Sequence, residues 1–371
     1  MAFSQLIGQE RAKRMLSRLI ASHRVGGTYL FFGPEGVGKR TTALLFAQAL
    51  NCAGPDAAEG EPCGACPSCR KILHGNHPDI RYLFPLSRAG KGALDDLLHD
   101  ARWGEHGPRF DRAASISIEG VRDLRHEIAH RPFVGRMRAV IVCRAERMTT
   151  EAANAFLKML EEPPPATIYV LTTARPQALL ATVRSRCQPI PFARLASESI
   201  EHALIDRFGI DQVVASASAG MANGSLGRAL DLATGSLEEE RQQALDLMQT
   251  AGTGLEEVPE LVQKLARQSD RGEIQRMLEL LLTIWRDVMV LKVRARAHLV
   301  NEDLGNELTA EGRDLSLDEI VQTIRAIDET LRAVEGNVNL GLALAYLVSR
   351  LSRGMGGAEV WARSPGPSAI M

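Results

Sequence analysis

Hydrophobic and polar positions along the 371-residue chain follow two rhythms. Short, wholly apolar runs stand at Tyr29-Leu30-Phe31-Phe32, Ala139-Val140-Ile141-Val142-Cys143 and Thr167-Ile168-Tyr169-Val170-Leu171, the last ending in Thr172-Thr173. Runs this short and unalternating, rich in β-branched and aromatic residues, predict buried strands of a parallel sheet. His77–Pro85 reads as another buried strand stopped by proline, and Ile190-Pro191-Phe192 as a short one. Between them lies helical spacing. Residues 4–24 carry the stripe Ile7, Ala12, Leu16, Leu19 and Ile20. A second helix runs from Thr42 to about Leu50, a third follows a cap at Ser117, and Thr150–Glu162 is closed by Pro163-Pro164-Pro165. Strands alternating with helices over 29–192 give a parallel α/β sheet.

After residue 194 the strand rhythm stops. Residues 195–234 are helical, with a capped start at Gly224-Ser225-Leu226-Gly227-Arg228. Residues 237–353 hold four or five amphipathic helices, including a long one near 273–297 and others near 316–334 and 340–352. The expected fold class is α/β followed by all-α, divided at 1–194, 195–235 and 236–353. The Gly-, Ser- and Pro-containing tail 354–371 is expected to be disordered. The polar stretch at about 85–114, with a short helix near 93–102, reads as an insertion. No internal repeat is evident.

Composition narrows the classes. The chain exceeds what one core usually organises, and 45% hydrophobic with 24% charged residues is ordinary for a globular protein. A net charge of −1 gives no global basic field for nucleic acid. Arg greatly outnumbers Lys, a bias that lowers the weight of any single Arg substitution. No apolar run approaches a membrane span, and no charged segment followed by an apolar one opens the chain, so a cytoplasmic protein without membrane contact is expected. In that reducing compartment, cysteines are read as metal ligands before disulfides.

Gly33-Pro34-Glu35-Gly36-Val37-Gly38-Lys39 lies between the first strand and its helix, the context of a phosphate-binding loop. Glycines let backbone N–H groups turn around an anion, the helix N-terminus adds positive potential, and Lys39 adds a point charge. The hydroxyl that should follow Lys39 and hold Mg²⁺ is replaced by Arg40, and Thr41 comes one residue late. Where a nucleotide hydrolase needs carboxylates after its third strand, this chain has Cys143-Arg144-Ala145-Glu146. Cys143 reads as a small buried hydrophobe and Glu146 as lying beyond the strand end. ATP binding therefore stays open, and hydrolysis is not expected.

Cys63-Gly64-Ala65-Cys66-Pro67-Ser68-Cys69, with Cys52 upstream, has the spacing of a tetrahedral four-thiolate Zn²⁺ site. Four thiolates leave no open position for water, so the role is structural. His74 and His77 follow closely and could compete as ligands, but with four sulfurs available they are read as surface residues. Ser185-Arg186-Cys187, between two apolar strands, is expected to be exposed at the sheet's rim.

The order of phosphate loop, cysteine cluster, Ala153-Asn154-Ala155-Phe156-Leu157-Lys158-Met159-Leu160-Glu161-Glu162-Pro163-Pro164 and Ser185-Arg186-Cys187 resembles the AAA+ subunits of the bacterial DNA polymerase III clamp loader. Similarity covers residues 3 to about 235, and Asn337–Leu344 resembles the last collar helix more weakly. The departures at Arg40, Cys143 and Arg144 resemble the delta-prime branch, a largely rigid stator beside ATPase motor subunits. The resemblance implies an AAA+ domain with a zinc module at 52–69, a small helical lid and a C-terminal helical collar. It implies Gly33, Gly36, Gly38, Lys39, Thr41 and Arg228 as the nucleotide-facing set, and Arg186 as an arginine finger lent in trans. The implied partners are motor and delta subunits in a hetero-pentamer, the sliding clamp, and primed DNA through the assembly.

Overall fold

The computed structural model describes residues 3–22, 25–54, 60–86, 114–234, 237–253, 262–263, 265–266, 271–293, 299–301, 304–335 and 338–354. The 85–114 insertion, apart from its ends, lies outside the described residues, and so does the tail beyond Gly354. The chain forms two compact units, Met1–Asp231 and Leu232–Met371.

The first unit is built on a five-stranded sheet: β1 Gly27–Phe32, β2 Ile80–Leu83, β3 Arg138–Val142, β4 Thr167–Thr173 and β5 Gln188–Pro191. Their order is β2-β3-β4-β1-β5, with every pair parallel. The wholly apolar runs are explained by helices on both faces. Tyr29, Phe31, Ile141 and Val170 pack on one side with Leu16 of α1 (Glu10–Ala21) and Phe46 of α2 (Lys39–Asn51). Leu30, Val140, Tyr169 and Leu171 pack on the other with Leu124 of α4 (Ile118–Glu127) and Phe156 of α5 (Thr150–Glu161). Helix α3 (Pro67–Leu73) follows the cysteine cluster. After β4 come the one-turn helix α6 (Ala181–Arg184) and β5. Helices α7 (Ser197–Phe208) and α8 (Gln212–Met221) follow in this unit, and α9 (Leu226–Thr234) begins in it and runs past Asp231.

Three expectations are corrected. Helical spacing over 4–24 produces a helix only from Glu10, because Gly8 and Gln9 both take positive φ (58° and 59°) and break the chain from the 3-10 turn Phe3–Gln5. The strand expected from His77 starts at Ile80, since His77, Pro78 and Asp79 form its turn. His77 itself is buried, 2% exposed, with Nδ1 accepting the Asp79 N–H at 3.2 Å.

The second unit is helical among the described residues: α10 Leu237–Thr253, α11 Arg271–Lys292, α12 Gly305–Glu311, α13 Leu317–Glu335 and α14 Leu340–Gly354. Helix α11 packs against α10, α12 and α13, around fully buried Ile284, Trp285 and Ile327. Its buried Asp287 accepts N–H bonds from Val300 (2.9 Å) and Asn301 (2.7 Å), tying the 299–301 segment to the helix. No described helix is long and apolar enough to cross a membrane.

Candidate functional site

The phosphate loop bridges β1 and α2, as the sequence requires. Gly33, Gly36 and Gly38 all take positive φ, at 146°, 72° and 95°. Lys39 is buried and donates from Nζ to the Gly33 carbonyl at 2.6 Å and to the Pro34 carbonyl. Burial pushes its pKa down to about 8, against the upward pull of Glu35 and Glu146. Thr42, not Thr41, is the buried threonine of the first turn, and its hydroxyl donates to Gly38 O at 2.8 Å. Thr41 is half-buried. The loop is held from outside by Gln9, whose amide donates to Val37 O (3.3 Å) and Ala193 O (2.7 Å) and accepts from Ala193 N (3.0 Å).

Beyond β3, a thiol and a cation, Cys143 and Arg144, stand where metal-holding carboxylates would be expected. Burial pushes the Cys143 thiol up to about 11, against the opposing charges of Arg40 and Arg144. Arg144 takes φ 50° and its guanidinium pairs with Glu35 of the phosphate loop. That left-handed turn brings Glu146, in a 3-10 turn at Ala145–Arg147, back toward the loop. Its Oε1 accepts from Ala174 N at 3.4 Å, its Oε2 is buried with no hydrogen-bond partner, and its charge is felt at Lys39. Distance along the chain concealed this placement.

The start of α9 closes on the loop. Gly227 N donates to Gly36 O at 3.0 Å, and a Cβ on Gly36 would lie 2.1 Å from Ser225 Oγ. Gly227 also has little room: its Cβ would lie 3.2 Å from Gly36 Cα. Two residues without side chains are needed for this contact. Arg228 is half-buried in the first turn of α9, where its N–H is capped by Ser225 Oγ at 3.2 Å. Arg186 is exposed, just ahead of β5. It donates to Glu161 Oε1 at 2.7 Å and to Thr182 O at 3.1 Å. Gly33, Gly36, Gly38, Lys39 and Arg228 therefore gather at one end of the sheet and Arg186 does not.

The second cluster is Cys52, Cys63, Cys66 and Cys69, whose sulfurs all lie within 4.8 Å of one another. Cys52 Sγ accepts N–H groups of Gly54 (3.3 Å) and Cys63 (3.4 Å), and Cys63 Sγ accepts that of Cys66 (3.3 Å). Cys66 caps α3, accepting from Cys69 N at 3.4 Å. At Cys66 the upward push of burial is outweighed by N–H donors, which take the thiol down to about 6. Burial and neighbouring sulfurs push Cys69 the other way. Four ionised thiolates this close repel unless a cation neutralises them, so the donor set fits a closed, soft-metal site of the Zn²⁺ kind. Cys143 and Cys187 stand apart from it.

A glycine loop closed by a lysine helix, on a parallel sheet with helices on both faces, defines a phosphate-loop α/β protein with a four-cysteine module. The family model for "DNA polymerase III, delta subunit" matches residues 8–196. The chain is 29% identical over 351 residues to the Bacillus subtilis DNA polymerase III subunit delta', covering 93% of this chain and 97% of that protein. It is 35% identical over 207 residues to the gamma/tau subunit of Mycobacterium tuberculosis, covering 56% of this chain and 31% of that one. A gamma subunit-related protein of Thermotoga maritima superposes with a TM-score of 0.42 at 18% identity, over 93% of this chain and all of that one. The chain belongs to the delta-prime family of DNA polymerase III clamp-loader subunits.

Proposed function

We propose that this chain is a non-motor, stator-like subunit of the DNA polymerase III clamp loader. It assembles with motor and delta subunits, acts on the sliding clamp and primed DNA through that assembly, and works in the cytoplasm. On this reading 1–194 is the nucleotide-fold domain, 195–235 a lid and 236–353 the collar. Gly33, Gly36, Gly38, Lys39, Thr41 and Arg228 are the residues facing any bound ATP, and Cys52, Cys63, Cys66 and Cys69 hold one structural Zn²⁺.

The observation that carries the reading is the position of Arg186. It precedes β5, whereas Phe192, just past β5, lies against Gly33 of the loop. Six residues of largely extended chain at about 3.3 Å each put roughly 20 Å between Arg186 and its own phosphate loop. Arg186 is thus out of reach of that site while exposed to a neighbour, as a finger in trans requires, and its always-charged fork matches phosphate oxygens. Arg40 and Arg144 support the non-motor half, because phosphoryl transfer needs Mg²⁺ at the place they make positive.

The test is a loader rebuilt with Arg186→Ala in this subunit and wild-type motor subunits. Assembly should be intact, while ATP turnover stimulated by clamp and primed DNA falls on the order of 10³-fold, the scale of a finger's contribution. Unchanged turnover in a fully formed complex would make Arg186 a bystander. For the metal, Cys63→Ser should lose its zinc by metal analysis and Cys143→Ser should keep it; equal zinc in both refutes the assignment.

A motor-type reading is favoured only by Glu146, whose unpartnered carboxylate oxygen lies near Lys39. It requires the purified chain to hydrolyse ATP with Mg²⁺ near ~1 s⁻¹, a rate in the ordinary range for enzymes, and to lose that activity in Lys39→Ala.

A further inference from the structure

At the end of the sheet opposite the phosphate loop, residues 129–137 connect α4 to β3. Phe133 and Val134 stand at the tip, 71% and 63% exposed. His130, Arg131 and Arg136 are exposed around them, and the segment contains no carboxylate. The backbone beneath this tip is fixed by buried polar side chains. Asp79 accepts the N–H groups of Phe133 (2.6 Å), Val134 (2.8 Å) and Gly135 (2.7 Å). Arg138 donates to the carbonyls of Ile128 (2.7 Å), His130 (2.5 Å) and Arg131 (3.0 Å). Asn51 pairs with both backbone groups of Met137, accepting at 3.1 Å and donating at 3.0 Å.

Asp79 and Arg138 are 0% and 1% exposed and lie 3.9 Å apart. Burying two charges is costly unless every lone pair and proton is satisfied. Here nearly all of that satisfaction is directed at the backbone of one loop. Burial raises the Asp79 carboxyl, but the three N–H donors outweigh it and hold the group ionised below its ordinary range. The core gains nothing from the two side chains the loop displays. A rigid tip that holds an aromatic and an aliphatic side chain in water has already lost the entropy that binding would otherwise cost, and such anchors dominate interfaces when a pocket receives them.

We propose that residues 129–137 form a preformed docking knob for a protein partner that presents an apolar pocket rimmed by carboxylates. Phe133 and Val134 fill the pocket, and Arg131 and Arg136 meet the rim. A protein pocket is favoured over a nucleic acid strand because one ring flanked by Pro132 and Val134 is not a platform on which successive bases stack. The knob lies three strands across the sheet from Arg186, so it is a separate surface.

The choice of probes rests on the clamp-loader reading. The purified sliding clamp, delta and motor subunits of the same organism are titrated one at a time against the full chain. The expected result is that one of them binds, and that the double variant Phe133→Ser/Val134→Ser weakens it at least tenfold with an unchanged melting temperature. Arg131→Glu/Arg136→Glu should weaken the same complex and reduce its salt dependence. If the variants bind every partner as wild type does, the knob is overturned while the clamp-loader reading stands. If the wild-type chain binds none of the three, that reading fails and the inference with it. If the variants lose affinity only for single-stranded DNA, the surface is a nucleic-acid contact and the inference is wrong.

Discussion

At one end of the sheet Lys39 donates to the Gly33 and Pro34 carbonyls of the loop it serves; at the other, Arg138 donates to three carbonyls of residues 128–131. Both cations are buried, but their compensation differs. Arg138 has Asp79 beside it and three carbonyl acceptors. Lys39 has two carbonyls, with the Glu35 and Glu146 charges acting on it without contact. A closed network serves shape; a cation less fully compensated is the one the proposed reading assigns to an anion. The same sheet thus carries a charge-paired buried cation at one end and one held by two carbonyls alone at the other.

The largest effect should come from breaking the closed end. Asp79→Ala leaves Arg138 buried without its counter-charge and strips three N–H groups of their acceptor. A loss of about 3–5 kcal/mol is expected in urea unfolding. A loss under about 1 kcal/mol would mean that water or loop movement replaces Asp79, and the contrast between the two ends would fall.

The open end should show itself in pH dependence. Lys39 has a folded value of about 8, below the roughly 10.4 of an unfolded lysine. Between those limits the unfolded chain holds the extra proton, so stability rises with pH through that window, by on the order of 2 kcal/mol. Lys39→Met should flatten this limb in melts taken between pH 7.5 and 10. A wild-type curve that already runs flat there would place Lys39 among compensated cations. Glu35→Gln should do least. Its pair with Arg144 is exposed, so removing it should change stability by no more than about 0.5 kcal/mol. A larger loss would mean that the phosphate loop depends on this pair for its shape.

What the sequence could reveal divides along the same line. Strand, glycine loop and helix over 27–51 are contiguous, and β3 and α5 carry their own apolar period and their own stop signals, so local chemistry sufficed. The four cysteines sit within eighteen positions of one another and needed only spacing. Asp79 gave no such signal: its partners lie 54 to 56 residues away, and a lone Asp before a strand looks like any turn residue. Glu146 was discounted as lying past the strand end, where the chain enters a loop or helix; it does lie in a 3-10 turn, but the left-handed Arg144 ahead of it redirects the chain. His77 was read as surface because four sulfurs already complete the metal site, an argument against its being a ligand that says nothing of its burial.

The contact between Gly36 and Gly227 makes loop and helix α9 a single equilibrium. An occupant that needs more room there has to part the two backbones first. Its measured affinity is then its intrinsic affinity scaled by the fraction of molecules in which they are already apart. For a ligand bound in that way reciprocity would follow: a restraint on α9 from outside, at a surface that never meets the ligand, would shift how tightly the loop holds it.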